Sequence, residues 1–157
     1  MYIVAIIQAR MGSTRLPGKV VMEIGGKTML ARVIERVKRS ELIDRIIVAT
    51  TDKAQDDVIV TECDRMDISV FRGEEQDVLD RYYRAARAYN AEAVVRITSD
   101  CPLIEPEVID QVIQVFLKEH PDYASNTLEK TYPRGLDVEI MTMNALTQAW
   151  KNATKPY

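Results

Sequence analysis

Apolar residues along this chain fall into short runs that switch between two periods. Tyr2-Ile3-Val4-Ala5-Ile6-Ile7, Arg45-Ile46-Ile47-Val48-Ala49-Thr50, Ile68-Ser69-Val70-Phe71 and Ala93-Val94-Val95-Arg96-Ile97-Thr98 are short and mostly continuous, as strands buried on both faces should be. Between them the spacing turns helical. Met29, Leu30, Val33, Ile34 and Val37 follow Thr28, a residue suited to capping a helix. Residues Gln55 to Arg65 read as a second helix. Asp77 is placed to cap a third, with Val78, Leu79, Tyr82, Tyr83, Ala86 and Tyr89 inward, and Val108, Ile109, Val112, Ile113, Val115 and Phe116 mark a fourth. Tyr123 to Asn126 reads as a short strand. Leu136, Val138 and Ile140 alternate with Asp137, Glu139 and Met141, the pattern of a half-buried strand, and Asn144 is expected to cap a last helix.

This alternation predicts a three-layer α/β/α fold with a mostly parallel sheet, in one domain over residues 1–157 without linker or repeat. Such folds bind ligands outside the carboxyl ends of their strands. Those ends here carry Arg10, Thr51-Asp52, Arg72-Gly73 and Ser99-Asp100.

The first strand runs into Gln8-Ala9-Arg10-Met11-Gly12-Ser13-Thr14-Arg15-Leu16-Pro17-Gly18-Lys19, and no acidic residue occurs before Glu23. Three cations on a glycine-containing turn suit a polyphosphate, because guanidinium forks match phosphate oxygens and glycine lets the backbone approach an anion. A solvated, turn-rich connection is the alternative. Two familiar phosphate loops do not fit. Gly12 to Gly18 is one residue too long for the Walker pattern, and Val20 stands where its hydroxyl belongs. Gly25-Gly26 has neither the spacing nor the preceding strand of a dinucleotide fingerprint.

Composition narrows the classes further. A formal net charge of −3 over 157 residues argues against a general nucleic-acid binder. No apolar run reaches membrane-spanning length and no signal peptide is evident, so a cytoplasmic location without a membrane partner is expected. Cys63 and Cys101 read as reduced thiols, and the single histidine, His120, excludes His-rich zinc sites and Ser-His-Asp catalysis.

Asp100, just past a buried strand and before Pro102, is either a Mg²⁺ ligand beside bound phosphates or the hydrogen-bonding residue of its own turn. Arg72 could approach a base or phosphate, or sit on an ordinary exposed turn. Asp80-Arg81 reads as a solvated ion pair on its helix. The helical spacing of Tyr82, Tyr83 and Tyr89 favours core packing over a nucleobase stripe. Arg134, Asp137 and Glu139 either hold a polar second substrate or belong to a solvent-facing strand.

The stretch from Ile7 to Lys19 resembles the signature of the cytidylyltransferases that activate acidic sugars, the family of the CMP-sialic acid and CMP-KDO synthetases. Val48-Ala49-Thr50-Thr51-Asp52, Val78-Leu79-Asp80-Arg81-Tyr82-Tyr83, Arg96-Ile97-Thr98-Ser99-Asp100-Cys101-Pro102-Leu103-Ile104 and Pro133-Arg134-Gly135-Leu136-Asp137-Val138-Glu139 resemble its spore coat polysaccharide (SpsF) branch. The resemblance implies a nucleotide-diphospho-sugar transferase-like, Rossmann-like fold. It implies a nucleotide site including Gln8, Ala9, Arg10, Gly12, Ser13, Thr51, Asp52, Arg72 and Thr98, with Arg15, Lys19 and Asp100 as catalytic residues. Asp100 would hold Mg²⁺, with Mn²⁺ as a substitute, and Arg134, Asp137 and Glu139 would face the sugar.

The implied reaction is attack of a sugar hydroxyl on CTP, giving a CMP-sugar and pyrophosphate. Family members continue well past Lys155-Pro156-Tyr157, with a second metal-ligating acid and often a dimerisation element, so the chain is expected to be C-terminally truncated; a homodimer is compatible with the resemblance. Two alternatives remain open at this point: a glycosyltransferase of related fold using a nucleotide-sugar donor, for which no D-x-D motif occurs, and a non-catalytic nucleotide-binding domain.

Overall fold

The computed structural model describes residues 1–13, 15–129 and 131–154. Thr14 of the opening signature and the Lys155-Pro156-Tyr157 end lie outside the described residues. The strands are β1 (Ile3–Gln8), β2 (Glu23–Ile24), β3 (Lys27–Thr28), β4 (Arg45–Thr51), β5 (Ser69–Gly73), β6 (Ala93–Thr98), β7 (Tyr123–Ser125) and β8 (Glu139–Thr142). The helices are α1 (Met29–Val37), α2 (Asp57–Arg65), α3 (Val78–Ala88), α4 (Pro106–Glu119) and α5 (Met143–Asn152).

Six strands form one sheet in the order β5-β4-β1-β6-β8-β7. β1, β4, β5 and β6 are parallel, whereas β8 runs antiparallel to both β6 and β7. The expected mostly parallel sheet with helices on both faces is therefore present. β1 is at its centre, and successive side chains go to opposite faces. Ile3, Ala5 and Ile7 pack with residues of α1, α2 and α4. Val4 and Ile6 pack with residues of α3 and α5. Burial on both sides explains why β1 reads as an unbroken apolar run rather than an alternation.

This order also locates the site. From β1 the chain builds outward through β4 and β5, then returns to pair β6 on the other side of β1. The reversal leaves a crevice beyond the carboxyl ends of β1 and β6, where Gln8 is in register with Thr98.

Local chemistry sets most boundaries. The Thr28 hydroxyl accepts the Ala31 N–H at 3.0 Å, and Asp77 accepts the Asp80 N–H at 2.8 Å, so both expected caps are in place. The last helix starts earlier than its sequence suggested. Thr142, not Asn144, caps it by accepting the Ala145 N–H at 3.0 Å. The late strand is also shorter, beginning at Glu139 rather than Leu136. Upstream of it, the Asn126 side chain takes the place of a ladder: it donates to the Leu136 carbonyl (2.7 Å) and accepts from the Val138 N–H (2.9 Å). The β2–β3 hairpin gave no periodic signal because each strand has two residues. Its turn is Gly25-Gly26, both with positive φ (58° and 76°), a conformation open to glycine.

Candidate active site

The loop leaving β1 is organised around Met11. Its N–H donates to Asp56 Oδ1 at 2.8 Å. Its carbonyl accepts the N–H groups of Ser13 (2.8 Å) and Gly18 (3.0 Å), which closes the loop on itself. Gly18 adopts φ +70°, and a Cβ there would lie 3.3 Å from the Met11 methyl. Val20 is buried, so the turn carrying Lys19 is anchored in the core.

Asp56 is fully buried and holds more than Met11. Its Oδ2 accepts from the Thr50 hydroxyl (3.2 Å), the Thr51 N–H (3.2 Å) and the Thr51 hydroxyl. One carboxylate thus ties the phosphate-type loop to the end of β4.

From this frame Gln8, Arg10, Ser13, Arg15 and Lys19 line a cavity of about 290 Å³ together with Arg96, Thr98, Ser99 and Asp100 across from them. Lys19 Nζ forms an ion pair with Asp100 Oδ2. Burial pushes the Asp100 carboxyl up, but hydrogen bonds from Lys19 and Thr98 and the Lys19 charge outweigh it. The group is held below its ordinary value and stays ionised at neutral pH. Among the described residues neither Arg10 nor Arg15 has an acidic partner within ion-pair distance. The cavity therefore keeps a net positive charge among the described residues, with Asp100 as its one acidic wall residue.

A second cavity of about 430 Å³ shares Gln8 and Arg96 as wall residues with the first. Its other walls are largely apolar: Val78, Leu79, Met141 and Leu146, with Tyr82 and Glu139. Arg96 Nη1 donates to Glu139 Oε1 at 2.6 Å.

Seven of the residues singled out from sequence converge on the cationic cavity: Gln8, Arg10, Ser13, Arg15, Lys19, Thr98 and Asp100. Others lie in the frame. The Ala9 N–H bonds the Ala49 carbonyl at 3.1 Å. A Cβ on Gly12 would come within 3.1 Å of Glu75 and 3.4 Å of Gln55. Thr51 is buried on Asp56, and Asp52 is exposed outside both cavities. Arg72 turns back to hydrogen-bond the carbonyls of Thr51 (2.9 Å) and Lys53 (2.9 Å) and pairs with Asp57 (2.7 Å). Glu139 lines the second cavity, whereas Arg134 and Asp137 are exposed and line neither.

The Asp80-Arg81 ion pair does not form. Asp80 pairs with Arg84 at 2.7 Å and accepts from Trp150 at 2.9 Å. Arg81 is fully buried and donates to the Glu74 carbonyl at 2.6 Å, tying down the loop before α3. Tyr82 and Tyr83 are core residues, as their spacing suggested.

Two residues were missed. Asp56 carries no motif, although an acid just before a helix and shortly after a strand ending in two threonines is well placed to bond loop donors. Arg96 is a cation inside an otherwise apolar strand, a signal that deserved a role.

Among the described residues no group of three or more His, Cys, Asp or Glu side chains converges as a metal site. No described helix is long and apolar enough to cross a membrane.

The chain is 46% identical over its whole length to the uncharacterized protein MJ1063 of Methanocaldococcus jannaschii, covering 63% of that protein. It is 38% identical over 148 residues to spore coat polysaccharide biosynthesis protein SpsF of Bacillus subtilis, with 92% of this chain and 60% of that one aligned. It is 42% identical over 125 residues to 3-deoxy-manno-octulosonate cytidylyltransferase of Trichlorobacter lovleyi, covering 74% of this chain and 46% of the relative. A solved cytidylyltransferase structure from Leptospira borgpetersenii superposes with a TM-score of 0.96 at 38% identity, over all of this chain and 67% of the other. The chain thus spans less than two thirds of the length of these curated relatives. A sequence profile described as cytidylyltransferase matches residues 4–157, and the chain belongs to the cytidylyltransferase family.

Proposed function

We propose that this chain binds CTP with Mg²⁺ and supplies the nucleotide half of a site that transfers CMP to a sugar, releasing pyrophosphate. The observation that carries this reading is the single cavity uniting Arg10, Arg15, Lys19 and Asp100 at the switch point of the sheet. Cationic forks and a lysine suit the β- and γ-phosphates, which leave together. The adjoining apolar cavity has room for the organic groups that meet at the α-phosphorus.

The residues fit a magnesium ion bound with nucleotide. Magnesium commonly takes one or two carboxylates and completes its shell with phosphate and water oxygens, so the lone ionised Asp100 is a suitable protein ligand. When bound, the ion neutralises phosphate charge. The protein's own contribution is positioning and electrostatics. Asp56 fixes the loop, Arg10 and Arg15 face the phosphates without acidic competitors, and Lys19 can exchange Asp100 for a departing pyrophosphate oxygen.

A thermal-shift panel of CTP, UTP, ATP and GTP, each with and without Mg²⁺, tests the reading. CTP with Mg²⁺ should raise the melting temperature most, by mass action on the native state. Lys19→Ala and Asp100→Ala should fold yet lose that shift. No shift with any nucleotide would refute the assignment. Cytosine as the base and a sugar as acceptor draw support from the family and from the names of its relatives; magnesium rests on the ionised Asp100 beside the cationic cavity.

A further inference from the structure

Resting on that triphosphate reading, we propose that Arg96, held in place by Glu139, grips the α-phosphate and is a catalytic residue of the transfer step. In-line displacement requires the leaving pyrophosphate and the attacking hydroxyl on opposite sides of the α-phosphorus. With the leaving phosphates among Arg10, Arg15 and Lys19, and the acceptor in the apolar cavity, that phosphorus must sit where the two cavities adjoin. Gln8 and Arg96 are the wall residues they share, and Arg96 is the cation of the two.

The way Arg96 is held supports the assignment. It sits on β6 beside the central strand, in register with Ile6 on one side and Glu139 on the other. Glu139 takes Nη1 at 2.6 Å, which leaves the other edge of the guanidinium for a second acceptor. Its side chain is 36% exposed, so that edge is reachable from the cavities. Tyr82, a buried residue that lines the apolar cavity, sets its hydroxyl beside the Arg96 guanidinium and helps to hold it. A half-buried guanidinium with one edge open to both cavities is well placed to take an anionic oxygen.

In the step itself the acceptor oxygen forms a bond to the α-phosphorus, and its proton passes to solvent. The bond from that phosphorus to the α–β bridging oxygen breaks, and its electron pair leaves on pyrophosphate. Negative charge on the non-bridging α-oxygens then faces Arg96, which steadies it. Glu139 is a positioning residue: it keeps the guanidinium plane turned toward the junction.

Calorimetric titration of CMP, CTP and inorganic pyrophosphate into wild type, Arg96→Gln and Glu139→Gln tests this. Arg96→Gln should bind CMP and CTP about tenfold or more weakly, the loss of one charge-assisted contact. Pyrophosphate, held mainly by Arg10, Arg15 and Lys19, should lose clearly less affinity in Arg96→Gln than CMP does, a difference that general structural damage would not give. Glu139→Gln, which keeps the guanidinium, should show a smaller loss for CMP in the same direction, and it decides the matter if Arg96→Gln does not fold. Equal CMP affinity in wild type and the folded variant overturns the role of Arg96 alone. Wild type that binds neither CTP nor pyrophosphate refutes the triphosphate reading, and this inference with it.

Discussion

Replacing Asp56 by alanine tests how the phosphate loop is held. The wild-type carboxylate is fully buried and accepts the Met11 N–H at 2.8 Å, the Thr51 N–H at 3.2 Å and two threonine hydroxyls. Alanine offers no acceptor. The hydroxyls can rotate toward other partners, but the two amides are fixed by the backbone. A stranded buried donor costs about 1–3 kcal/mol, and the part-buried Met11 amide, which water can reach, costs less than the buried Thr51 amide, so the two together cost roughly 3 kcal/mol. In a domain of this size that lowers the melting temperature by roughly 6–12 °C. Asp56→Asn keeps one acceptor oxygen and should fall between. Because Met11 also receives Ser13 and Gly18, both variants should loosen Arg10 and Lys19 and weaken CTP binding. Thermal melts followed by calorimetry read both effects. Asp56→Ala melting within about 2 °C of wild type, below the shift expected for even one stranded donor, and binding CTP undiminished, would show that Asp56 does not organise the loop.

Two further outcomes follow from titratable groups. Because Asp100 is held below its ordinary value in the fold, its pairing with Lys19 stabilises the protein above about pH 4, and that contribution disappears as pH falls through the lowered value. The pair is partly exposed, so Asp100→Asn should cost at most about 1 kcal/mol at pH 7. The difference should vanish near about pH 2. Denaturant midpoints at the two pH values check this, and a gap independent of pH contradicts it. Burial, helped by the Asp64 and Glu62 charges, pushes the Cys63 thiol up to about 12. Native protein at about pH 8 should therefore leave Cys63 unmodified by a thiol reagent until denaturant is added; mass spectrometry after labelling gives the answer.

Much of the fold was legible because its signals are local. The β1 run is apolar throughout since both faces are covered, and Thr28 and Asp77 sit within three residues of the donors they cap. What failed to show depends on distant partners. Asn126 truncates the expected late strand by bonding residues 10 and 12 positions away. Thr142 displaced Asn144 as a cap because pairing of β8 with β6 and β7 runs to Thr142 and Met141, which fixes where the chain can turn.

The site divides in the same way. Arg10, Arg15 and Lys19 could be read together because the chain itself groups them at the end of β1. Asp100 could be matched to them because both elements end on one sheet edge. Arg96 depends on Glu139, 43 residues on, and Asp56 on Met11, 45 residues back, so neither role appears in a linear pattern. Arg72 looked available from sequence, but nearby carbonyls and Asp57 satisfy its fork.

The central claim is that the cations of the β1 loop hold a triphosphate opposite Asp100. Titrating CTP and cytidine into this chain in Mg²⁺, at low and at raised salt, tests it most directly. The account predicts that CTP binds far more tightly than cytidine and that the advantage shrinks as salt screens the Arg10, Arg15 and Lys19 charges. Equal affinity for the two ligands, unchanged by salt, would contradict it.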